Sequence, residues 1–455
     1  MAENQPADKN RMNQELLDFA ARLRETILSE GRVPRAPHLN GQYGGSQSSP
    51  LRDFNRLAIE LFALQLKFNP AYRKICAGRK LMPGAIEHWT EIPVVPAAIF
   101  KELELTSIPP ADRTAVFLSS GTTEQKPGRH FHNAESLAVY EASLWSWFKK
   151  NVAMGAPNCD SACFSSDIVH ADPDQPSLRN LGAAGIGAPL AQPFQLVILT
   201  PPPAQAPHSS LVHMFETVRQ KLGAPESAFL GKVDAHGAWT LDFDASVAAL
   251  NSTLDSRLPA EASAKAGHSS LLLGTAFSFV HLLDFLAEKN LSFQLPPGSR
   301  VMETGGYKNR SRSMPKTELH ALITDRLGVP PENIICEYGM SELSSQAYDL
   351  GALASRRRVS SLCSEQDAGG TPALRGTATR HFSFPPWARV QIISPETGSE
   401  VAEGETGLIR VFDLANVFSV MAIQTEDLGI RRGDGFELIG RAALAEPRGC
   451  SLMTA

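Results

Sequence analysis

Cysteine is scarce in this chain. There are six in 455 residues, irregularly spaced and without a CxxC pair. Such usage excludes a disulfide framework and points to reduced thiols in a cytoplasmic protein. No sign of charge dominates either: 43 Lys and Arg stand against 48 Asp and Glu, for a net charge of −5. Nucleic acid and anionic membrane surfaces are therefore not expected partners. The opening residues, MAENQPADKNRMNQELLDF, lack the basic start and apolar run of a signal peptide. The most apolar stretch, residues 271–287, is interrupted by Ser278, His281 and Asp284, and Thr275 adds another polar group. A spanning helix needs ~20 mostly apolar residues, so no membrane span is expected. A buried strand followed by an amphipathic helix fits this stretch better. There is no internal repeat, no long low-complexity segment and no GxxxxGK(S/T) phosphate loop.

The remainder is ordinary for a soluble globular protein: 43% hydrophobic and 20% charged residues. At this length one average core is not enough, and two or three packed lobes are expected. Residues 14–29 place Leu16, Ala20, Leu23 and Ile27 at helical spacing. Residues 31–50, rich in Gly, Pro and Ser, read as a linker. A second helix is expected over 51–74, with Leu57, Leu61, Leu64 and Phe68 on one side. From residue 115, short apolar runs (AVFL, QLVIL, LLLG, NIIC) alternate with helix-like segments, the rhythm of βα units and a mostly parallel sheet. Proline-rich TPPPAQAPHSS and breaker-rich SEQDAGGTPALRG read as connections. After Arg389 the pattern becomes short strands with turns, which suggests a smaller antiparallel lobe.

Three segments carry chemistry. In FLSSGTTEQKPGRH, an apolar strand runs into Ser119, Ser120, Gly121, Thr122 and Thr123. Glycine lets the backbone turn, and amides with neighbouring hydroxyls can then surround an anion, with Lys126 and Arg129 as countercharge. A Ser/Thr-rich surface turn is the plainer alternative. In ICEYGMSELSSQAYD a strand ends at Tyr338 and Gly339, and a helix is expected from about Ser341. Ligands sit at such strand ends; Tyr338 can stack on a planar base and Glu342 can hold Mg²⁺. Alone, this segment reads equally as a capped helix start. In TEDLGIRRGDGFELIGR, Asp427 can accept from a ribose diol, Arg441 offers a fork suited to phosphate, and GDG makes a hairpin. A hairpin with surface charges is the plainer alternative here. His130 and His132 flank Phe131 as in a strand with both imidazoles on one face, in a structural role. The segment GTAFSFVHLLDF reads mostly as core.

Taken in order and spacing, SSGTT, YGMSE and TEDLG with GFELIGR resemble the adenylate-forming superfamily. The segments ELFALQLKFNPAYRKIC, IPVVPAAIFKE, ETGGYKNRSR, PPWARVQIISPETG and GRAALAEPRGCSL narrow this to a resemblance to the acyl-protein synthetases, over about residues 51–452. The resemblance implies an α/β fold: a large acyl-CoA-synthetase-like domain with mixed and parallel sheets, and a small β-rich lobe. It implies a division into 1–50 (helix and linker), 51–385 (core) and 386–455 (small lobe and tail), without the further C-terminal domain usual in the superfamily.

It also implies roles. Ser119 to Thr123 would wrap the phosphates of ATP. Gly305, Gly306 and Tyr338, with Gly339, Met340 and Ser341, would border the nucleotide. Glu342 would bind Mg²⁺, Asp427 the ribose, and Arg441 would lie near the ribose or α-phosphate. Two departures stand out: Glu124 replaces a glycine of the usual loop, and Lys126 precedes Pro127, which puts the role of Lys126 in question. Cys450, near the C-terminus, matches the position of the family's acyl acceptor. The implied reaction is ATP-dependent activation of a carboxylic acid, in the family a fatty acid, to acyl-AMP. Transfer to a cysteine thiol follows, with an acyl-reductase or carrier protein as onward partner. Transfer to CoA, a carrier protein or an amine, or an inactive nucleotide-binding subunit, are the alternatives.

Overall fold

The computed structural model describes residues 6–30, 53–79, 84, 86–119, 126–153, 195–223, 227–254, 269–305, 314–350 and 380–442. Ser120, Gly121, Thr122, Thr123, Glu124, Gly306 and Cys450 lie outside these residues, as do the two segments expected to be loops at 31–50 and from Ser364.

The first helix, α1 (Pro6–Glu30), buries Leu16, Phe19, Ala20, Leu23 and Ile27, as its spacing predicts. The single helix expected over 51–74 is instead two, α2 (Phe54–Phe68) and α3 (Pro70–Gly78). A residue before proline is driven out of the helical region. Asn69 accordingly adopts φ −104° and ψ 100°, and its side chain caps α3 by accepting from Tyr72 N at 3.1 Å. Short α4 (Ile99–Glu102) follows β1 (Val95–Pro96).

The run AVFL does not join the parallel rhythm. It forms β2 (Ala115–Leu118), which pairs antiparallel with β3 (Arg129–His132) in a separate two-stranded sheet. Helix α5 (Ala134–Phe148) follows, capped by Asn133, and packs against α1.

The other apolar runs do build a parallel core. Strands β4 (Gln195–Ile198), β8 (Ser270–Thr275), β9 (Arg300–Thr304) and β10 (Ile334–Tyr338) pair in parallel, with β5 (Ala228–Phe229) at the edge. They are buried on both faces, so their sequences are continuous rather than alternating. Connecting them are α6 (Ser210–Leu222), a small hairpin of β6 (Gly231–Val233) and β7 (Trp239–Leu241), α7 (Phe243–Leu254), α8 (Ala276–Glu288) and α9 (Lys316–Leu327). Residues 271–287 thus fall on a buried strand and an amphipathic helix, with Phe279, Val280, Leu282, Leu283 and Leu286 in the core. No helix among the described residues is long and apolar enough to cross a membrane.

The sheet continues with antiparallel strands: β11 (Ala347–Leu350), β12 (His381–Ser383), β13 (Ala388–Ile393), β14 (Thr406–Asp413), β15 (Ala422–Arg432) and β16 (Gly435–Arg441). One ladder runs β13-β14-β15-β16-β12-β11-β10-β9-β8-β4-β5, with β1 beside β15. The GDG turn closes the β15–β16 hairpin where Arg432 pairs with Gly435.

Candidate functional site

The three sequence motifs, far apart in the chain, meet at the carboxyl end of β10. Strand β2 is followed by Ser119, whose backbone N–H donates to Gly128 O at 3.0 Å while its Oγ accepts from Gly128 N at 2.7 Å. These two bonds pinch the ends of the SSGTTEQKPG loop together. Gly128 has to be glycine: a Cβ there would lie 2.8 Å from Glu342 Oε1 and 2.9 Å from Ser119 Oγ. The same contact brings the first motif against the carboxylate of the second.

Ser341 completes this junction. Its hydroxyl donates to Leu118 O at 3.1 Å, and its carbonyl accepts from His130 Nδ1 at 2.9 Å. Because a carbonyl only accepts, His130 carries its proton on Nδ1. Burial pushes this imidazole down to about 4, so it is neutral near pH 7. His130 and His132 do share one face of β3, with ring centroids 4.3 Å apart.

No helix begins at Ser341. The chain turns there and returns as β11, antiparallel to β10. The reason lies in the loop that follows β14. Asp413 accepts from Ser344 N at 2.9 Å, Ser345 Oγ at 2.7 Å and Ala415 N at 3.0 Å, and Asn416 Nδ2 donates to Glu342 O at 2.9 Å. The Glu342 carbonyl, which a helix would pair internally, is satisfied from outside, as is Ser344 N–H, which a helix start would leave open.

Glu342 is buried, and desolvation raises its carboxyl to about 7. Arg441, Lys101 and the Ser119 hydroxyl act the other way. Sequence reasoning misses Lys101, carried on α4 by the IFKE run, because nothing local in that run marks it as a site residue. Lys126, by contrast, is exposed and forms no ion pair among the described residues.

The third motif joins through Tyr338. Its hydroxyl donates to Asp427 Oδ2 at 2.9 Å, and its ring is buried against Phe382, Phe384 and Phe436. Burial raises the Asp427 carboxyl, opposed by the Tyr338 hydrogen bond and by Arg441. Asp427 and Arg441 are directly opposed across the β15–β16 hairpin, with Arg441 Nε 3.9 Å from Asp427 Oδ1. Arg441 itself is 76% exposed, free to turn toward an anion. Gly305 directly follows β9, whose last residue Thr304 pairs with Glu337 near the end of β10; Met340 packs on the core, and Gly339 follows Tyr338 directly.

Ser119, Tyr338, Gly339, Met340, Ser341, Glu342, Asp427 and Arg441 are therefore grouped, with Gly305 at their edge. The group offers hydroxyls, one buried carboxylate, a second carboxylate hydrogen-bonded to a phenol, and the cation Arg441, with Lys101 of α4 acting on Glu342 as a second cation. Such a set suits a polyanion that also carries a diol.

Comparison with known proteins gives the following. Residues 180–364 match the family model described as acyl-protein synthetase, LuxE. The long-chain-fatty-acid–luciferin-component ligase of Aliivibrio fischeri is 21% identical over 436 residues, covering 91% of this chain and 90% of that protein. Its counterpart in Vibrio harveyi is 22% identical over 408 residues, covering 88% of this chain and 86% of that protein. Among solved structures, 2-hydroxyisobutyryl-CoA ligase in an open conformation with 2-HIB-AMP and CoA superposes with a TM-score of 0.53 at 11% identity, covering 90% of this chain and 80% of that one. The same ligase in its postadenylation state gives 0.54 at 11% identity, covering 91% of this chain and 74% of that one. The fold is thus that of this CoA ligase.

Proposed function

We propose, from this chain's kinship with the acyl-protein synthetases, that it is a ligase which spends ATP to activate a carboxylic acid. In the first step a carboxylate oxygen attacks the α-phosphorus of ATP in line. The P–O bond to pyrophosphate breaks, and acyl-AMP forms. In the second step a thiolate attacks the acyl carbon, AMP leaves with the bonding electrons, and a thioester remains.

The convergence of three distant motifs carries this reading. Ser119 to Thr123 receive the phosphates, with Lys126 and the better-placed Lys101 as countercharge. Gly305, Gly306, Gly339 and Met340 border the base beside Tyr338, Asp427 accepts from the ribose diol, and Arg441 reaches the ribose or α-phosphate. Preorganised donors of this kind act where charge develops in the transition state.

A divalent cation fits the residues present. Mg²⁺ is a hard ion held by one or two carboxylates together with substrate phosphates. Glu342, buried and hydrogen-bonded by the Ser119 hydroxyl, is such a donor set. When bound, Mg²⁺ offsets charge on the phosphates of ATP. Ser341 and His130 hold Glu342's loop to the end of β2, and Asn416 and Asp413 fix it from the other side.

For the acceptor we propose Cys450, and for the onward partner an acyl-reductase or carrier protein, in the cytoplasm where ATP is supplied. The test is pyrophosphate release from MgATP with a panel of acids, together with transfer of labelled acid to the protein before and after Cys450→Ser. Hydroxylamine-sensitive label that needs ATP and disappears in the variant is the expected result. Release without label moves the acceptor to CoA, a carrier protein or an amine. No acid-dependent release would overturn the activation reading.

A further inference from the structure

Adjacent residues of β10 point to opposite faces of the sheet. Tyr338 faces Asp427 and the nucleotide side. Glu337 faces the other way, toward α5, at the same carboxyl end of the parallel strands. Its register partner on β11 is Tyr348, so the two side chains stand next to each other on that face.

This second face is polar where a core should be apolar. Glu337, Gln346, Tyr348 and His132 are all at least nine-tenths buried. Tyr348 OH, Gln346 Oε1 and His132 Nε2 have no hydrogen-bond partner among the described residues. A buried polar atom left unpaired loses its hydration without compensation and is destabilising. Two such atoms, Tyr348 OH and Gln346 Oε1, beside one carboxylate call for a ligand.

The atoms belong together. A Cβ on Gly339 would lie 2.4 Å from Glu337 Oε1 and 3.5 Å from Gln346 Cγ, so both side chains close on one glycine-sized space. The other carboxylate oxygen, Oε2, accepts from the Thr304 hydroxyl. Tyr140 of α5 lies close enough that the Glu337 charge acts on its ionisation as on that of Tyr348, and its ring is 6.0 Å from that of His132.

The free valences have a direction. Gln346 Oε1 accepts, and Tyr348 OH both donates and accepts, beside the Glu337 carboxylate, which can also accept. An unsubstituted hydrocarbon chain would leave Gln346 Oε1 and Tyr348 OH unpaired. We propose that the acid activated by this chain carries a hydroxyl or amino group besides its carboxylate, received by Glu337, Gln346 and Tyr348. This narrows the substrate of the activation reading above and rests on it.

The experiment uses matched acids of one skeleton: unsubstituted, hydroxylated and aminated. Acid-dependent pyrophosphate release is measured with the full-length chain. A site built to hydrogen-bond a substrate group discriminates strongly against the analogue lacking it. A preference of at least ~10-fold in kcat/KM for a substituted acid is expected. Tyr348→Phe and Glu337→Leu should bring that ratio toward one, mainly by losing the substituted acid. Glu337→Gln keeps an acceptor oxygen but loses the charge, so it should retain a hydroxy acid and lose a protonated amine.

Circular dichroism and acid-induced thermal shifts without ATP accompany each variant, so a folding failure is seen as such. Wild-type preference for unsubstituted acids, or a ratio unchanged in folded Tyr348→Phe and Glu337→Leu, overturns the inference and leaves activation standing. Thermal shifts by substituted acids alone, without pyrophosphate release, keep this pocket and retire the ligase reading. Neither shift nor release with any acid overturns both.

Discussion

Replacing Glu337 by glutamine should make the stability of this protein less sensitive to pH. In the folded chain, desolvation and then the neighbouring Glu303 charge raise the Glu337 carboxyl from 4.5 to about 7, against the Thr304 hydrogen bond. Between those values the folded state holds a proton that the unfolded chain has released. Stability therefore falls as pH rises from about 4.5 to about 7. Each pKa unit is worth about 1.4 kcal/mol, so the loss attributable to this group is about 3 kcal/mol. That is a large share of a typical 5–15 kcal/mol. Glutamine keeps the shape and an acceptor for the Thr304 hydroxyl but does not ionise. The assay is urea unfolding of both proteins at about pH 5 and pH 8. Other carboxyls titrate in both proteins and cancel in the comparison. The wild type should lose about 2–3 kcal/mol more than Glu337→Gln between the two conditions. Equal losses would refute the reasoning, since they would mean that Glu337 keeps its hydration in the folded chain.

Three further outcomes are expected. Glu342→Gln should lower pyrophosphate release by at least ~100-fold, the scale of losing one preorganised electrostatic group, while its melting temperature at neutral pH stays level or rises because a buried charge is gone. Asp413→Ala leaves Ser344 N, Ser345 Oγ and Ala415 N without their acceptor; at about 1–3 kcal/mol per orphaned donor, urea unfolding should register a loss of at least about 3 kcal/mol. Tyr338→Phe removes the donor to Asp427, and KM for ATP should rise roughly 10-fold, about 1.4 kcal/mol, with kcat less affected. An unchanged KM would separate this hydrogen bond from nucleotide binding.

What was legible in the sequence follows the range of the interactions concerned. Buried parallel strands announce themselves as continuous apolar runs, and α1 by its helical spacing. The hairpin β15–β16 follows from its glycines. Local rules failed where a distant partner decides. Ser341 has the sequence of a helix start, yet Asp413 and Asn416, about 70 residues further on, take the Ser344 N–H and the Glu342 carbonyl. The apolar run before Ser119 looks like its parallel neighbours but pairs with the strand that carries the two histidines. Lys101 was unreadable as a site residue because only the fold brings α4 to Glu342. Proline was the exception: Pro70 splits the second helix by a local rule, and the periodicity on either side masked it.

The hydrogen bond between Tyr338 and Asp427 joins β10 to β15, with β11, β12 and β16 lying between them in the ladder. In a flat sheet four strand spacings would separate the two by roughly 19 Å, beyond the reach of both side chains. The ladder must curl for the bond to form, and it curls only once every intervening strand is in register. Contacts of such long sequence separation form late and slow the folding of sheets. A ligand held between the motifs therefore has no partial site to nucleate on. It should leave the refolding rate unchanged and slow unfolding instead, because its contacts are absent from the transition state.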